Sequence, residues 1–230
     1  MAEADVGTVI VTGGASGLGA AVCDAVSEAG GTPVALDRNR PAGDHAWHEI
    51  DLADTRRAEA VVDEVAEEHG GLDAVVTAAG MDACGRLEEI PREQWERVVT
   101  VNLLGTVAVI RAALGRLEQA GGRVVTVGST LGLRVLSDAS AYCASKFGVV
   151  GFTRSLALET AGRVGVTLLI PGGMQTAFFD GREEKYKPAA DAVLAPPQEV
   201  AAAVVFALRR PHGVELRELV VCPAEETSWP

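Results

Sequence analysis

Cysteine is scarce and scattered. The four present, Cys23, Cys84, Cys143 and Cys222, form no CxxC pair and no cluster with histidine. The chain therefore offers no ligand set for structural zinc, and free thiols of a reducing compartment are the plain reading. Aromatic residues make up only 4% of the chain, too few for the stacking platforms that grip single-stranded nucleic acid. Basic residues are outnumbered, with 20 Lys and Arg against 32 Asp and Glu, a net charge of −12. Without a basic block, that balance disfavours binding along a phosphate backbone or docking on an anionic membrane. No unbroken apolar run approaches the ~20 residues that cross a bilayer. The acidic start Met1-Ala2-Glu3-Ala4-Asp5 also lacks the charged-then-apolar order of a secretory signal. These absences together point to a cytoplasmic protein with neither nucleic-acid nor membrane partners.

There is no internal repeat and no Pro/Gly/Ser linker, so the 230 residues read as one domain. At 48% apolar and 23% charged, the chain can bury a substantial core and is not disordered. Short β-branched runs at Val6–Val11, Thr32–Leu36, Ala74–Thr77, Val124–Val127, Val166–Ile170 and Leu219–Cys222 read as strands. Between them lie helical stretches at Gly17–Ala29, Thr55–His69, Gln94–Glu118, Ala141–Glu159 and Val200–Arg209. In Thr55–His69 the apolar residues Ala58, Val61, Val62 and Val65 share one face. Continuously apolar strands alternating with helices predict a single-domain, doubly wound α/β fold, its parallel sheet covered on both faces.

The turn after the first strand, Thr12-Gly13-Gly14-Ala15-Ser16-Gly17-Leu18-Gly19, runs straight into a helix. Glycines there let the backbone turn tightly and let a diphosphate approach the helix N-terminus, whose free N–H groups favour an anion. The spacing is a variant of the dinucleotide fingerprint, and an ordinary glycine-rich connection is its alternative. Asp37 follows Gly19 by 18 residues, at the end of the second strand. A carboxylate there can accept hydrogen bonds from ribose hydroxyls and repel a 2′-phosphate, favouring NAD, whereas the adjacent Arg38 could reach such a phosphate and keeps NADP open.

Tyr142-Cys143-Ala144-Ser145-Lys146 lies at the start of a helix, with Ser129 13 residues upstream. Upstream lie Thr77-Ala78-Ala79-Gly80 and Val101-Asn102-Leu103-Leu104-Gly105, and downstream Pro171-Gly172-Gly173-Met174-Gln175-Thr176. This ordered set resembles the short-chain dehydrogenase/reductase family across residues 8–176. The resemblance implies a Rossmann fold and an NAD(P)-dependent oxidoreductase that interconverts a secondary alcohol and a ketone. It makes Tyr142 the general acid/base, Lys146 its tuner and a ribose ligand, Ser129 the partner of the substrate oxygen, and Asn102 the holder of a relay water. It also assigns Gly13, Ser16, Gly17, Leu18, Gly19, Asp51, Leu52, Ala79, Gly80, Pro171, Gly172, Met174 and Thr176 to the dinucleotide. The chemistry is coherent: Tyr142 and Lys146 are four apart on one helix face, and a nearby ammonium favours phenolate. Read singly, these residues have plainer alternatives: surface packing for Tyr142 and Lys146, a turn or cap for Ser129, a helix bend for Asn102, and a solvated loop for Asp51. A dinucleotide-binding regulatory or scaffold protein without turnover is the competing function.

Two features depart from the family pattern. Thr77-Ala78 stands in place of two asparagines, and the ending Val220–Pro230 lacks the Gly-rich segment of 3-oxoacyl reductases, resembling instead the broad-range hydroxy-acid and alcohol dehydrogenases. The resemblance places a substrate lid at 177–197. Phe178, Phe179 and Tyr186 supply its apolar surface, and Arg182, Lys185 and Lys187 are candidates for meeting an anionic group. Finally, Gln94–Glu118 and Ala141–Glu159 carry apolar residues on more than one side, Phe152 among them, which the resemblance turns into a homotetramer or homodimer packed through these helices.

Overall fold

A computed structural model describes residues 6–226, 228 and 229. The acidic start at residues 1–5, and Thr227 and Pro230 of the ending, lie outside the described residues. Seven parallel strands form the sheet: β1 Thr8–Thr12, β2 Thr32–Asp37, β3 Ala46–Glu49, β4 Ala74–Thr77, β5 Arg123–Val127, β6 Gly165–Pro171 and β7 Glu218–Val221. Their order is β3-β2-β1-β4-β5-β6-β7. The helices are α1 Gly17–Glu28, α2 Thr55–Glu68, α3 Arg92–Val99, α4 Thr106–Ala120, α5 Ser140–Glu159 and α6 Pro197–Leu208. The expected doubly wound architecture is thus present, a Rossmann-type sheet with its order reversing between β1 and β4.

Alternation along each strand sends neighbouring side chains to opposite faces. Ile10, Val34, Val75 and Val124 join one core with Val61, Val62 and Val65 of α2, Val109 and Leu117 of α4, and Leu156 of α5. Val9, Val11, Ala35, Val76 and Val125 join the other, beneath Val22 and Val26 of α1 and Val200 and Val204 of α6. Asp54 caps α2, its side chain accepting the Arg57 N–H at 3.0 Å, which satisfies one of the donors a helix start leaves free.

Three elements differ from the sequence expectation. β3 was not anticipated: it is a short edge strand pairing Ala46–Glu49 with Val34–Asp37, and none of its residues is fully buried. An edge with little burial leaves no apolar run to read. The expected single helix Gln94–Glu118 is split by a π-helical turn at Thr100–Gly105. There Gly105 faces Leu52 so closely that a Cβ would come within 2.9 Å of the leucine Cβ. The combined run Arg92–Ala120 is also long and apolar enough to cross a membrane by length and composition, contrary to the apolar-run reading, with half of its most apolar window buried in the protein. The core contacts of Val98, Val109, Ile110 and Leu117 account for that apolarity.

Candidate active site

Parallel strands bring the loops from their carboxyl ends to one rim, and a cleft opens where the order reverses, here between β1 and β4. The glycine turn lies at that point. Gly13 has φ +72°, and a Cβ on it would sit 2.8 Å from Ala79 Cα. Only glycine lets β1's turn pass so close to the loop after β4, and the Ala79 N–H donates to Thr12 Oγ1 at 3.1 Å across the same gap. Leu18 is buried under the turn, and Gly17, at φ +53°, faces Thr176. Ser16 starts α1 in extended conformation with no side-chain cap, and the first intrahelical bond runs from the Ala20 N–H to its carbonyl. The N–H groups of Gly17, Leu18 and Gly19 are therefore left for an anion by the helix itself.

Asp37 ends β2 beside this turn, accepting the Ala15 N–H at 3.1 Å and the Asn39 N–H at 2.9 Å. Arg38 is exposed. Asp51 receives the Ala53 N–H at 2.9 Å and an Arg97 guanidinium at 2.6 Å. Burial works to raise its pKa, but the Arg97 hydrogen bond, the Ala53 N–H and the charges of Arg97 and Arg38 outweigh it and hold the carboxyl below its usual range. Leu52 is buried next to it. At the end of β6, the Gly172 N–H donates to the Val221 carbonyl, Met174 bridges to Ala195, and Thr176 Oγ1 accepts the Phe178 N–H at 3.3 Å. These donors and small residues fit a nicotinamide dinucleotide: α1's free N–H groups suit the diphosphate, and Asp37 suits ribose hydroxyls.

On the other side of the cleft, α5 presents Tyr142 and Lys146. Lys146 is 4% exposed, and its Nζ donates to the Val127 carbonyl at 2.8 Å. Burial drags its pKa down to about 8. The same ammonium lies 5.7 Å from the Tyr142 ring centre. Burial pushes the Tyr142 phenol up to about 12, against an opposing hydrogen bond with Ser129, with Asp82 raising it further and Arg182 lowering it. Lys146 by itself does not lower the phenol, because the phenol's own burial dominates and the ammonium, 5.7 Å from the ring centre, is directed at the Val127 carbonyl. Ser129 also accepts the Leu131 N–H at 3.1 Å and so starts the short turn Thr130–Gly132.

Asn102 sits in the π turn, 1% exposed. Its Oδ1 accepts the Met81 N–H at 2.8 Å, while Nδ2 donates to the Met81 carbonyl at 2.9 Å and to Ser145 Oγ at 3.0 Å. Both ends of the amide are thus engaged with protein, and the main-chain carbonyl accepts Thr106 Oγ1. The side chain clamps the loop after β4 rather than standing open to a water. Beside that clamp, a Cβ on Gly80 would lie 3.7 Å from Lys146 Nζ and 3.8 Å from Asn102 Oδ1.

The 177–197 segment holds two short 3-10 turns, Ala177–Phe179 and Glu184–Tyr186, and α6 starts at its end, earlier than expected. Phe178 stacks 5.6 Å from Tyr142, tilted by 52°. Tyr186 donates to Asp138 Oδ2 at 3.2 Å. The three cations named as candidates for meeting an anionic group each have a carboxylate beside them. Lys185 and Lys187 are exposed and paired with Glu183 and Glu184, and Arg182 lies against Asp82. A carboxylate two or three residues back offsets each surface lysine's charge. Sequence reading also missed Met81, Asp82, Arg97, Asp138 and Glu226. Asp82 follows directly on the Ala79-Gly80-Met81 stretch and could have been found by that register. Glu226, which accepts the Gly173 N–H at 2.8 Å, carried no local signal.

Residues 7–187 match the family described as short chain dehydrogenase. A D-threitol dehydrogenase of Mycolicibacterium smegmatis is 35% identical over 219 residues, covering 86% of this chain and 84% of the relative. An alcohol dehydrogenase of Thermococcus sibiricus, solved with 5-hydroxy-NADP, superposes with a TM-score of 0.83 at 26% identity, over 93% of this chain and 95% of its own. The ligand-free aldohexose dehydrogenase of Thermoplasma acidophilum shares the fold, with a TM-score of 0.88 over 96% of this chain and 95% of its own at 24% identity. The chain belongs to the short-chain dehydrogenase/reductase family. It is an oxidoreductase that uses a nicotinamide dinucleotide.

Proposed function

We propose that the enzyme interconverts a secondary alcohol and a ketone, with Tyr142 as general acid/base. The carrying observation is the convergence of Tyr142, its hydrogen-bond partner Ser129 and the buried Lys146 ammonium on one side of the cleft. A bound nicotinamide dinucleotide supplies the hydride donor or acceptor. Ser129 holds the substrate oxygen and Tyr142 exchanges a proton with it. Lys146 would hold the nicotinamide ribose, and its ammonium together with the positive charge of the oxidised nicotinamide would favour the phenolate. Asn102 acts by fixing Met81 and the cleft wall. Gly13, Ser16, Gly17, Leu18, Gly19, Asp37, Asp51, Leu52, Ala79, Gly80, Pro171, Gly172, Met174 and Thr176 line the dinucleotide's path. Tyr142→Phe removes the proton carrier without changing the ring. We expect kcat to fall by ~10²–10⁴-fold, the range for losing a general acid/base, with dinucleotide affinity largely kept. Near-normal turnover in that variant overturns the assignment.

NAD is the preferred cofactor on the strength of Asp37, whose carboxylate would sit against a 2′-phosphate. Fluorescence titration should show tighter NADH than NADPH binding and a smaller gap in Asp37→Ala. Tenfold tighter NADPH binding by wild type, a difference of about 1.4 kcal/mol, would mean that Arg38 dominates.

A further inference from the structure

The segment beyond β7 turns back to the carboxyl ends of β5 and β6. Glu226 is half-buried there, and both of its carboxylate oxygens are engaged. Oε2 accepts the Gly173 N–H at 2.8 Å. Oε1 accepts the Ser228 N–H at 2.9 Å and lies 2.6 Å from Ser228 Oγ. Burial works to raise its pKa, but the Ser228 and Gly173 hydrogen bonds outweigh it and hold the carboxyl below its usual range. Glu226 is therefore an anion at neutral pH, and its bonds are charge-assisted. Gly172 makes room for it: a Cβ there would overlap Glu226 Oε2 and come within 3.1 Å of Cys222 Sγ.

The chain of bonds continues past Ser228. Ser228 Oγ is also 2.6 Å from Oγ1 of Thr130, a buried residue that directly follows Ser129. Beside this bridge Trp229 and Leu133 pack on Val150, Leu168 and Ile170, which anchors the segment by apolar contact. Two loops are thereby joined. One leaves β5 and carries Ser129, the hydrogen-bond partner of Tyr142. The other leaves β6 and carries Gly172–Thr176, the stretch proposed above to line the dinucleotide. Main-chain pairing between the two strands runs to the Gly128 N–H, which donates to the Leu169 carbonyl at 2.7 Å. Beyond that point Glu226 and Ser228 span the gap with side chains.

Resting on the oxidoreductase reading above, we propose that Glu226 and Ser228 are positioning residues for hydride transfer, fixing the dinucleotide loop relative to the loop that holds the substrate oxygen. Glu226 sets Gly173 and, through it, the start of Met174–Thr176. Ser228 carries the same restraint to Thr130 and so to Ser129. Hydride transfer needs the nicotinamide and the substrate carbon at near-attack distance, and an error of about 1 Å in such a geometry can cost ~10²-fold. The two loops must therefore be indexed to each other, and this bridge does it.

The test separates the two ends of the bridge. Ser228→Ala removes the hydroxyl between Glu226 and Thr130 but leaves the Gly173 contact. We expect kcat to fall ~10-fold, with NADH affinity within about twofold of wild type. Glu226→Ala frees Gly173 as well. Its kcat should fall at least as far, and fluorescence titration should show NADH bound ~10-fold more weakly, the scale of one charge-assisted hydrogen bond. Because both residues act through one chain of bonds, the double variant should lose no more kcat than Glu226→Ala alone. Rates are taken with NAD⁺ or NADP⁺ on the secondary alcohol that wild type oxidises fastest, at a temperature where melts show every variant folded. A bridge that only braces the fold would lower the melting temperatures and leave kcat and NADH affinity at wild-type values, and that result overturns the proposal. Additive losses in the double variant overturn it too. Ser228→Ala deletes a single half-buried hydroxyl and keeps the test decisive should Glu226→Ala not fold. If wild type binds NADH but oxidises no alcohol, the oxidoreductase reading fails by itself, and the NADH affinity of Glu226→Ala still decides the part given to Glu226.

Discussion

A lysine buried with its ammonium against a main-chain carbonyl carries a stability cost, and Lys146 is such a residue. Its folded-state pKa of about 8 lies below the ordinary 10.5. Below about 8 the ammonium is charged in both folded and unfolded chains, and the burial penalty is constant. Between about 8 and 10.5 the unfolded chain binds more protons than the folded one, so this group makes stability rise with pH. Lys146→Met should therefore stabilise the ligand-free protein at pH 7, by up to on the order of 3 kcal/mol, with the gain shrinking towards pH 10. Thermal melts of both proteins across pH 7–10 check this, and their difference cancels the opposite trend from Tyr142. Should the variant melt lower at pH 7, Lys146 is a net structural asset, and the penalty has been misjudged. Of the residues that form this site, those in motifs were legible beforehand. Tyr142, Lys146, Ser129 and the glycine turn carry spacing, whereas Asp82 meets Arg182 only after the 99 intervening residues have been folded back.

At the scale of elements, burial decided what could be read. The five inner strands β2, β1, β4, β5 and β6 are apolar runs, and the faces of α1, α2 and α5 repeat with helical spacing. β3 alternates Trp47 and Glu49 with half-exposed neighbours and lacks such a signal. The π turn is invisible to periodicity because one extra residue per turn changes backbone register without changing composition, and π turns of this kind recur at functional sites. Asn102 owes its place to that turn. The strand–turn–helix unit gives its own prediction. Gly13→Ala puts a methyl group against Ala79 Cα at a φ of +72°. We expect dinucleotide binding to weaken ~10-fold or more, equivalent to at least about 1.4 kcal/mol. Denaturant unfolding should show a loss of roughly 1–3 kcal/mol from the strained backbone. Retained affinity would mean the turn has room to relax away from Ala79.

For the whole molecule, the unburied face of α5 carries the next test. Phe147 is 44% and Leu158 79% exposed, and on the neighbouring π turn Leu104 is 48% exposed. Ala144 and Gly151 lie on the same outward side of α5. We propose that a second copy of the chain covers this face in a homodimer or homotetramer, as large apolar side chains left exposed along one helix suggest. Phe152, singled out from the sequence for the same purpose, instead packs partly into the core, so a charge there would unfold the subunit as well as separate subunits. Leu158→Glu is the cleaner probe. Its exposure predicts a stability change within about 0.5 kcal/mol for the isolated subunit, while sedimentation should shift toward the monomer. A wild-type monomer of 23.8 kDa at micromolar concentration would remove the proposal.

The strand order has a consequence for how the chain is made. β2 pairs with β1, β3 then adds outside β2, and β4 takes the free edge of β1; β5, β6 and β7 follow outward in turn. Each strand thus leaves the ribosome to find its neighbour already synthesised and with an edge still open. None has to pry apart a pair formed earlier. At about 5–20 residues per second, each new edge waits seconds for its partner, and that edge is apolar from β4 through β6. Synthesis that stalls between strands would therefore expose an adhesive margin rather than a misthreaded one, and aggregation of the nascent chain, not a topological trap, is the failure this protein faces in production.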